Sequence, residues 1–280
     1  MLSIQTQLLQ LLDRSLPFRL IIALVVGFLA LFLVQEIESI HRETACWGKV
    51  PFLVCLLDEG VNLIAVENVE GFSILVVAIT YLIESRDRRK KKHYEAWQVV
   101  DNAAAAKVPT SNARIKALED LNEDGVSLQA IDMPGADLRR IQLAGADLRE
   151  ATLSATDLRE ANLRGANLAL VNLEGANLRG SDLSYTNLAK AHLKGADLTK
   201  AVLYGTNLAC ADLSRTILEQ ADLRKAMLVE ANLAAANLRS ANLQQANLTD
   251  ARLKESDFRT ADLKDAKLTG AIMPSGTIHQ

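Results

Sequence analysis

Leucine, replaced once by phenylalanine, recurs at every fifth position from Leu138 to Leu268, 27 times in one register without a gap. Leu128, Met133 and Met273 carry the register further at both ends. Two positions before each of them stands a small or β-branched residue, as at Ala136, Ala161, Ala196 and Ala246. A repeat of this kind limits the fold before any other feature does. On an α-helix five residues advance about 500°, a net rotation of about 140°, so the leucines would scatter instead of forming a stripe. In a straight strand the small residue and Leu share a face, but the next pair is offset by an odd number and falls on the other side. The chain therefore turns a corner in every repeat, one pentapeptide to each side of a polygon. Two positions point inward and three outward, which defines a β-solenoid. Gly135, Gly145, Gly165 and Gly195 sit two residues after the core residue, at a corner suited to positive φ. Arg140 and Glu150 hold the same position, which predicts a corner conformation that varies between repeats.

The strings "ADLRE", "ANLRG", "ANLAL" and "ADLTK" resemble the A(D/N)LXX unit of pentapeptide repeat proteins, and the resemblance covers about residues 126–273. It implies a right-handed quadrilateral β-helix with four pentapeptides per coil. Thirty repeats then make about seven coils, and stacking at about 4.8 Å gives a rod about 35 Å long.

The rest of the chain is of another kind. The sequence is 49% hydrophobic but only 4% aromatic, and nine of its twelve aromatic residues precede position 126. Leu20 to Val34 contains no polar residue and reads as a transmembrane helix, with about 18–37 as its extent. No small-residue cleavage site follows, which argues against a signal peptide. A second span is expected at about 61–83, although Asn62, Glu67, Asn68 and Glu70 interrupt its first half. Directly after it come Arg86, Arg88, Arg89, Lys90, Lys91 and Lys92, a basic cluster that the positive-inside rule assigns to the cytoplasmic side. The expected organisation is a membrane anchor over 1–84, a cytoplasmic helical linker and cap over 85–125, and the β-helix over 126–280. It implies an integral protein of a plasma or thylakoid membrane, with the bilayer as a partner and both termini in the cytoplasm. Leu2, Leu8, Leu9, Leu12 and Leu16 suit an interfacial helix ending before Pro17.

Lys91 to Ala106 reads as a helix with Tyr94 and Trp97 on one side, ended by Pro109. A short helix follows, with Ser111 or Asn112 as N-cap, Gly125 as its stop, and Ile115, Leu118 and Leu121 on one face. That face is expected to cover the first coil, whose core and backbone edge would otherwise be exposed. The segment from "YEAWQVV" to "LEDLNEDGVSL" also resembles the linker of cyanobacterial membrane-bound pentapeptide proteins. At the other end only "MPSGTIHQ" remains, and the bare edge is available for a homodimer formed end to end. Pro134 and Pro274 mark the two ends, as expected if every N–H between them is needed.

No catalytic or cofactor motif is present, and the reading is that the chain is not an enzyme. His41, His93, His192 and His279 are scattered with no metal-ligand spacing. Cys46 and Cys55 lie together in the expected external loop, as a disulfide or as two thiols, and Cys210 faces outward. Glu67 and Glu70, three apart, keep open a role in a transport or channel system.

Stacked at twenty residues, one face of the solenoid carries Arg139, Arg159, Arg179, Arg239 and Arg259 beside Asp137, Asp157, Asp197 and Asp257. Another shows Ala169, Leu170, Ala189, Ala209, Cys210 and Val229, a nearly uncharged stripe suited to docking an as yet unknown protein partner. Members of the family that protect DNA gyrase resemble duplex DNA in shape and negative charge. Residues 126–280 instead carry 18 basic and 18 acidic side chains, which argues against that mimicry, and no nucleic acid partner is expected. The resulting expectation is a membrane-anchored, non-enzymatic scaffold offering a rigid β-helix to a protein partner.

Overall fold

A computed structural model describes Val25, Ile79 and residues 88–104 and 110–280. The chain divides into two compact units, Met1–His93 and Tyr94–Gln280. The expected spans at 18–37 and 61–83, together with Cys46, Cys55, Glu67, Glu70 and Arg86, lie outside the described residues, Val25 and Ile79 apart. Among the described residues no helix is long and apolar enough to cross a membrane, and this overturns the integral-membrane location expected from the sequence. The described helical residues 88–104 open on Arg88, Arg89, Lys90, Lys91 and Lys92, five consecutive charges that a bilayer core does not admit, whereas a crossing helix needs about 20 mostly apolar residues.

From Leu128 onward the chain is a solenoid in which one residue of each side, the one before the core residue, pairs in parallel with the residue twenty further on: Asp137 with Asp157, Gln142 with Asn162, Asp147 with Asn167, Thr152 with Asn172. Twenty residues make one coil of four sides. Counted from Leu138, the sides run through Leu138 (face one), Leu143 (face two), Leu148 (face three) and Leu153 (face four), and then repeat.

The residues Ala161–Gly165 show why the pentapeptide is a complete unit. Asn162 N–H donates to Ile141 in the coil before, at 2.9 Å, while Leu163 and Gly165 donate to Asp182 and Ser184 in the coil after, at 2.8 and 2.9 Å. Ala161 N–H closes the turn onto Leu158 C=O at 3.1 Å. The fifth N–H, of Arg164, has no backbone partner and is taken by the side-chain oxygen of Asn162 at 3.2 Å. This local bond recurs with the N–H groups of Arg159, Glu174, Ser184 and Ala234 donating to the side-chain oxygens of Asp157, Asn172, Asp182 and Asn232. It supplies the physical reason for Asp or Asn before most of the core leucines, since an unpaired backbone donor is costly and a short side-chain oxygen reaches the N–H two residues on.

The corners are uniform, contrary to the variation expected from Arg140 and Glu150. Every position two residues after the core residue, from Ala130 to Gly270, has positive φ. The non-glycine residues among them lie between 54° and 61°. With φ > 0 only at the third turn residue and a bond from the fourth N–H to the first C=O, the corners have the signature of type II turns. Left-handed backbone costs a non-glycine residue roughly 1–2 kcal/mol, but three inter-coil hydrogen bonds per repeat leave the chain no other path.

Inside, the leucines and small residues form one continuous core, most of them fully buried. Where Thr or Ser replaces Ala the hydroxyl is satisfied internally. Thr206 Oγ1 donates to Leu183 C=O at 2.7 Å and Ser181 Oγ to Leu178 C=O at 2.8 Å.

The first coil is closed by α1, Asn112–Glu123. Ser111 is its N-cap, accepting from Arg114 N–H at 3.1 Å. Gly125 N–H to Asn122 C=O and Val126 N–H to Leu121 C=O end it as a Schellman motif. Leu118 and Leu121 are fully buried against the core, as the sequence predicts, while Ile115 is only partly so. The helix is turned slightly from the expected face and buries Arg114 and Ala117 instead. It also covers the polar edge: Gln142 N–H donates to Glu119 Oε1 at 2.9 Å and Asn122 Nδ2 to Ala144 C=O at 3.1 Å. Within 88–104, Val100 is buried, and Ala96, Trp97 and Val99 are partly buried against the core, while Tyr94, one turn before Trp97 on the same side, is exposed.

At the other end the tail folds back on the last coil. Ile272 pairs antiparallel with Ile278, and Gly270 N–H donates to His279 C=O at 2.8 Å. The core residues of the last full coil, Phe258, Leu263 and Leu268, remain half-buried because no further coil covers them.

Candidate functional site

Face one is a self-neutralising wall. Arg139 grips Asp137 through Nε and Nη2 at 2.9 and 2.7 Å, and Arg259 grips Asp257 with the same spacing. Arg179 and Arg239 reach across to the next coil instead, to Asp197 at 3.1 Å and Asp257 at 3.4 Å. Hydrogen bonds from their arginines hold Asp137 and Asp157 below the usual carboxylate range, and take Asp257 to about 2. Beside this wall, between it and the start of α1, a cleft of about 480 Å³ is lined by Ser111, Asn112, Arg139, Arg140, Arg159 and Glu160 among others. Its arginines are all paired with carboxylates.

Face three carries the predicted stripe. Ala169, Ala189, Ala209 and Val229 follow one another coil by coil and are half-buried. Asn167, Asn187 and Asn207 run beside them as an amide ladder, Asn187 Nδ2 to Asn167 Oδ1 at 3.0 Å and Asn207 Nδ2 to Asn187 Oδ1 at 3.1 Å. Leu170 and Cys210 lie on the corner of this face, and Leu170 is 47% exposed. The column they share is less apolar than the stripe, because Lys190 stands between them and Cys210 Sγ lies 3.8 Å from Glu230 Oε2. Met227, 47% exposed, extends the face next to Val229.

Face two holds a cluster that sequence reasoning missed. The ring of Tyr185, at the corner between faces two and three, meets that of Tyr204 edge to face with centroids 5.4 Å apart. Arg164 lies 5.0 Å from the Tyr185 centroid, and Arg224 and Lys225 lie 5.5 and 5.4 Å from that of Tyr204. A Cβ on Gly205 would stand 3.2 Å from the Tyr185 ring, so glycine is what lets the ring settle there. A hydrogen bond from Lys225, strengthened by its charge and that of Arg224, lowers the Tyr204 pKa from its ordinary value. The signal was present in the sequence as a gap in the Asp/Asn column. Val202 stands on face two where Asn162, Asp182 and Asp222 stand in other coils, and it is exposed; Ile217 on face one and Met227 on face three replace the same cap and are exposed as well.

The other singled-out residues do not converge. Arg88, Arg89, Lys90, Lys91 and Lys92 fall on helical residues and are exposed. Among the described residues no group of His, Cys, Asp or Glu is arranged to hold a metal.

No curated protein matches the chain. Among solved structures, HetL, a pentapeptide repeat protein involved in heterocyst differentiation regulation from the cyanobacterium Nostoc sp. strain PCC 7120, is 32% identical over 55% of this chain and 91% of its own, with a TM-score of 0.32. A pentapeptide repeat protein of the Arabidopsis thaliana thylakoid lumen is 29% identical over 39% of this chain and 68% of its own, with a TM-score of 0.25. QnrB1, a plasmid-mediated fluoroquinolone resistance protein, in a trypsin-treated form, is 19% identical over 50% of this chain and 80% of its own, with a TM-score of 0.29. The family described as Pentapeptide repeats matches in eight copies lying between residues 124 and 273, more than half of the sequence. Leucine spacing, twenty-residue coils and this match agree: the chain belongs to the pentapeptide repeat family.

Proposed function

We propose that the chain is a non-enzymatic scaffold whose solenoid presents flat, repetitive faces to a protein partner. The observation that supports it best is face three, where Ala169, Ala189 and Ala209 lie beside a hydrogen-bonded Asn ladder and the exposed Leu170. Such a surface is rigid before it binds, so little conformational entropy is lost on docking. Leu170→Arg together with Ala189→Arg should abolish partner recovery from native extracts while the circular dichroism spectrum of the β-helix stays unchanged. Recovery equal to the native chain would remove the stripe as the interface.

A second copy of the chain is the partner assigned to the C-terminal end, on the ground that Phe258, Leu263 and Leu268 are only half-buried there. Light scattering at micromolar concentration should report a dimer that Leu263→Glu dissociates. A monomer under those conditions would refute this part of the reading. Gyrase modulation by DNA mimicry is not favoured, because the arginines of face one neutralise its carboxylates one by one.

A further inference from the structure

The geometry points to a second docking site on face two: a groove-free patch, centred on Tyr185 and Tyr204, that takes an extended acidic segment of a protein partner with the pattern acidic–any–aromatic or apolar–any–acidic.

Three observations carry it. First, the patch costs stability where it stands. Val202 has no side-chain oxygen to offer the Tyr204 N–H, which Asn162 and Asp222 do offer to Arg164 and Arg224 in the same column. The sequence here exposes a branched apolar side chain in place of a cap, and Tyr185 beside it is 55% exposed. Second, the rim is cationic and partly uncommitted. Arg224 is held by Asp222 through two bonds of 2.8 and 2.7 Å, but Arg164 and Lys225 form no ion pair among the described residues. The only nearby carboxylates of the face are Asp182 and Asp222, which leaves a local excess of one positive charge over Arg164, Arg224 and Lys225. Tyrosine and arginine are the side chains that dominate protein interfaces, and a patch of this size suits a short segment.

Third, the spacing selects the occupant. Arg164 and Lys225 are three coils apart, about 14 Å along the axis at about 4.8 Å per coil. An extended chain rises about 3.4 Å per residue, so about four residues cover that distance. Side chains one, three and five of such a segment point to the same side. Carboxylates at one and five then meet Arg164 and Lys225, and the side chain at three lies on the Tyr185–Tyr204 pair and Val202. A nucleic acid would need a basic track along the rod, whereas the columns beyond this patch return to balanced charge.

The probe is a fluorescein-labelled peptide, Thr-Glu-Thr-Phe-Thr-Glu-Thr, titrated with the full chain and followed by anisotropy. Its control is the same composition with the two glutamates adjacent. Saturable binding is expected, weakened at least about fivefold in the control and by Arg164→Glu, Lys225→Glu or Tyr185→Ala. All three residues are exposed, and Glu occupies the same places of the pentapeptide on other faces, at Glu174 and Glu230, so the fold is kept. Val202→Asn supplies the decisive variant: it should raise the melting temperature by restoring the cap and yet weaken the peptide, a result that misfolding cannot produce. Leu170→Arg, which tests face three, should leave the peptide affinity unchanged. Equal affinity for the control peptide, or native affinity in the Arg164 and Lys225 variants, would overturn the proposal. So would a labelled oligothymidine of about twelve nucleotides that binds through Arg164 and Lys225 where the peptide does not.

Discussion

Asn207 donates its side-chain amide to Asn187 Oδ1 at 3.1 Å, and the same oxygen accepts the N–H of Ala189 at 3.2 Å. One atom thus ties two coils together and closes its own repeat. Asn187→Asp keeps both acceptor roles but sets a carboxylate against Asn167 Oδ1 where a donor stood. A loss of about 1–2 kcal/mol at neutral pH is expected, because a satisfied pair becomes two facing acceptors. Chemical denaturation followed by circular dichroism measures it, and an unchanged midpoint would count against the ladder.

Ile217 and Met227 leave the fifth N–H of their repeats without a side-chain acceptor, as Val202 does. Ile217→Asn and Met227→Asn should each stabilise the solenoid by about 0.5–1.5 kcal/mol, in contrast to the usual effect of substitution. Met227→Asn also joins Asn207 to Asn247 in one ladder. A lower denaturation midpoint in both variants would show that the cap contributes nothing at these sites.

Ala155 holds φ 54° with no glycine to ease it, while Gly195 holds φ 69° with open space where a Cβ would be. The left-handed cost of a Cβ exceeds the extra backbone entropy that glycine loses by about 0.5–1 kcal/mol. Ala155→Gly should therefore stabilise by about that amount and Gly195→Ala destabilise by about as much. Thermal melts of the two variants, which should shift in opposite directions, decide it.

Glu119 is the only acceptor for the Gln142 N–H on the edge that α1 covers. Glu119→Ala should cost about 1 kcal/mol. Hydrogen exchange at Gln142 should accelerate far more than at Leu188 in mid-rod. Uniform acceleration along the rod would mean that the helix acts through the core alone.

The paired aspartates predict an acid limb. Asp137, Asp157 and Asp222 are held low chiefly by hydrogen bonds from Arg139, Arg159 and Arg224, and Asp257 at about 2 by Arg259. Their folded values lie below the unfolded value of about 3.9, so their stabilisation is present above that pH and lost as pH falls through the folded values. The melting temperature should be flat from neutral pH to about 5 and fall between about 4 and 2. Arg259→Gln should raise the Asp257 titration midpoint seen by NMR, and a midpoint that stays at about 2 would contradict the pairing.

The core was legible because it obeys a period: leucine every fifth residue and a small residue two before it leave a single way to bury both. The covering role of α1 was legible too, although the buried positions Arg114, Ala117, Leu118 and Leu121 rotate it away from Ile115. The uniform corner was not legible, since Arg140 and Glu150 carry side chains that disfavour positive φ, and only the inter-coil bonds force them into it. The Asp and Asn residues that precede most of the leucines read as outward polar residues, and their bond to the N–H two residues on became visible only with the backbone in place. The aromatic cluster was hidden for a geometric reason. Tyr185 and Tyr204 stand in different columns, 19 residues apart, and columns compared one at a time never bring them together.

The closed pentapeptide has a consequence for how such a chain changes length. An insertion of five residues satisfies its own five N–H groups and keeps every leucine inward, so the core accepts it. Everything downstream, however, is carried one side around the rod. Placed between Arg164 and Lys225, such an insertion would send them to neighbouring sides and separate Tyr185 from Tyr204 or either from its cation. Only an addition of twenty restores each column, so the core counts in fives while the surface counts in twenties. Binding patterns on this rod can be erased by an indel that leaves folding untouched.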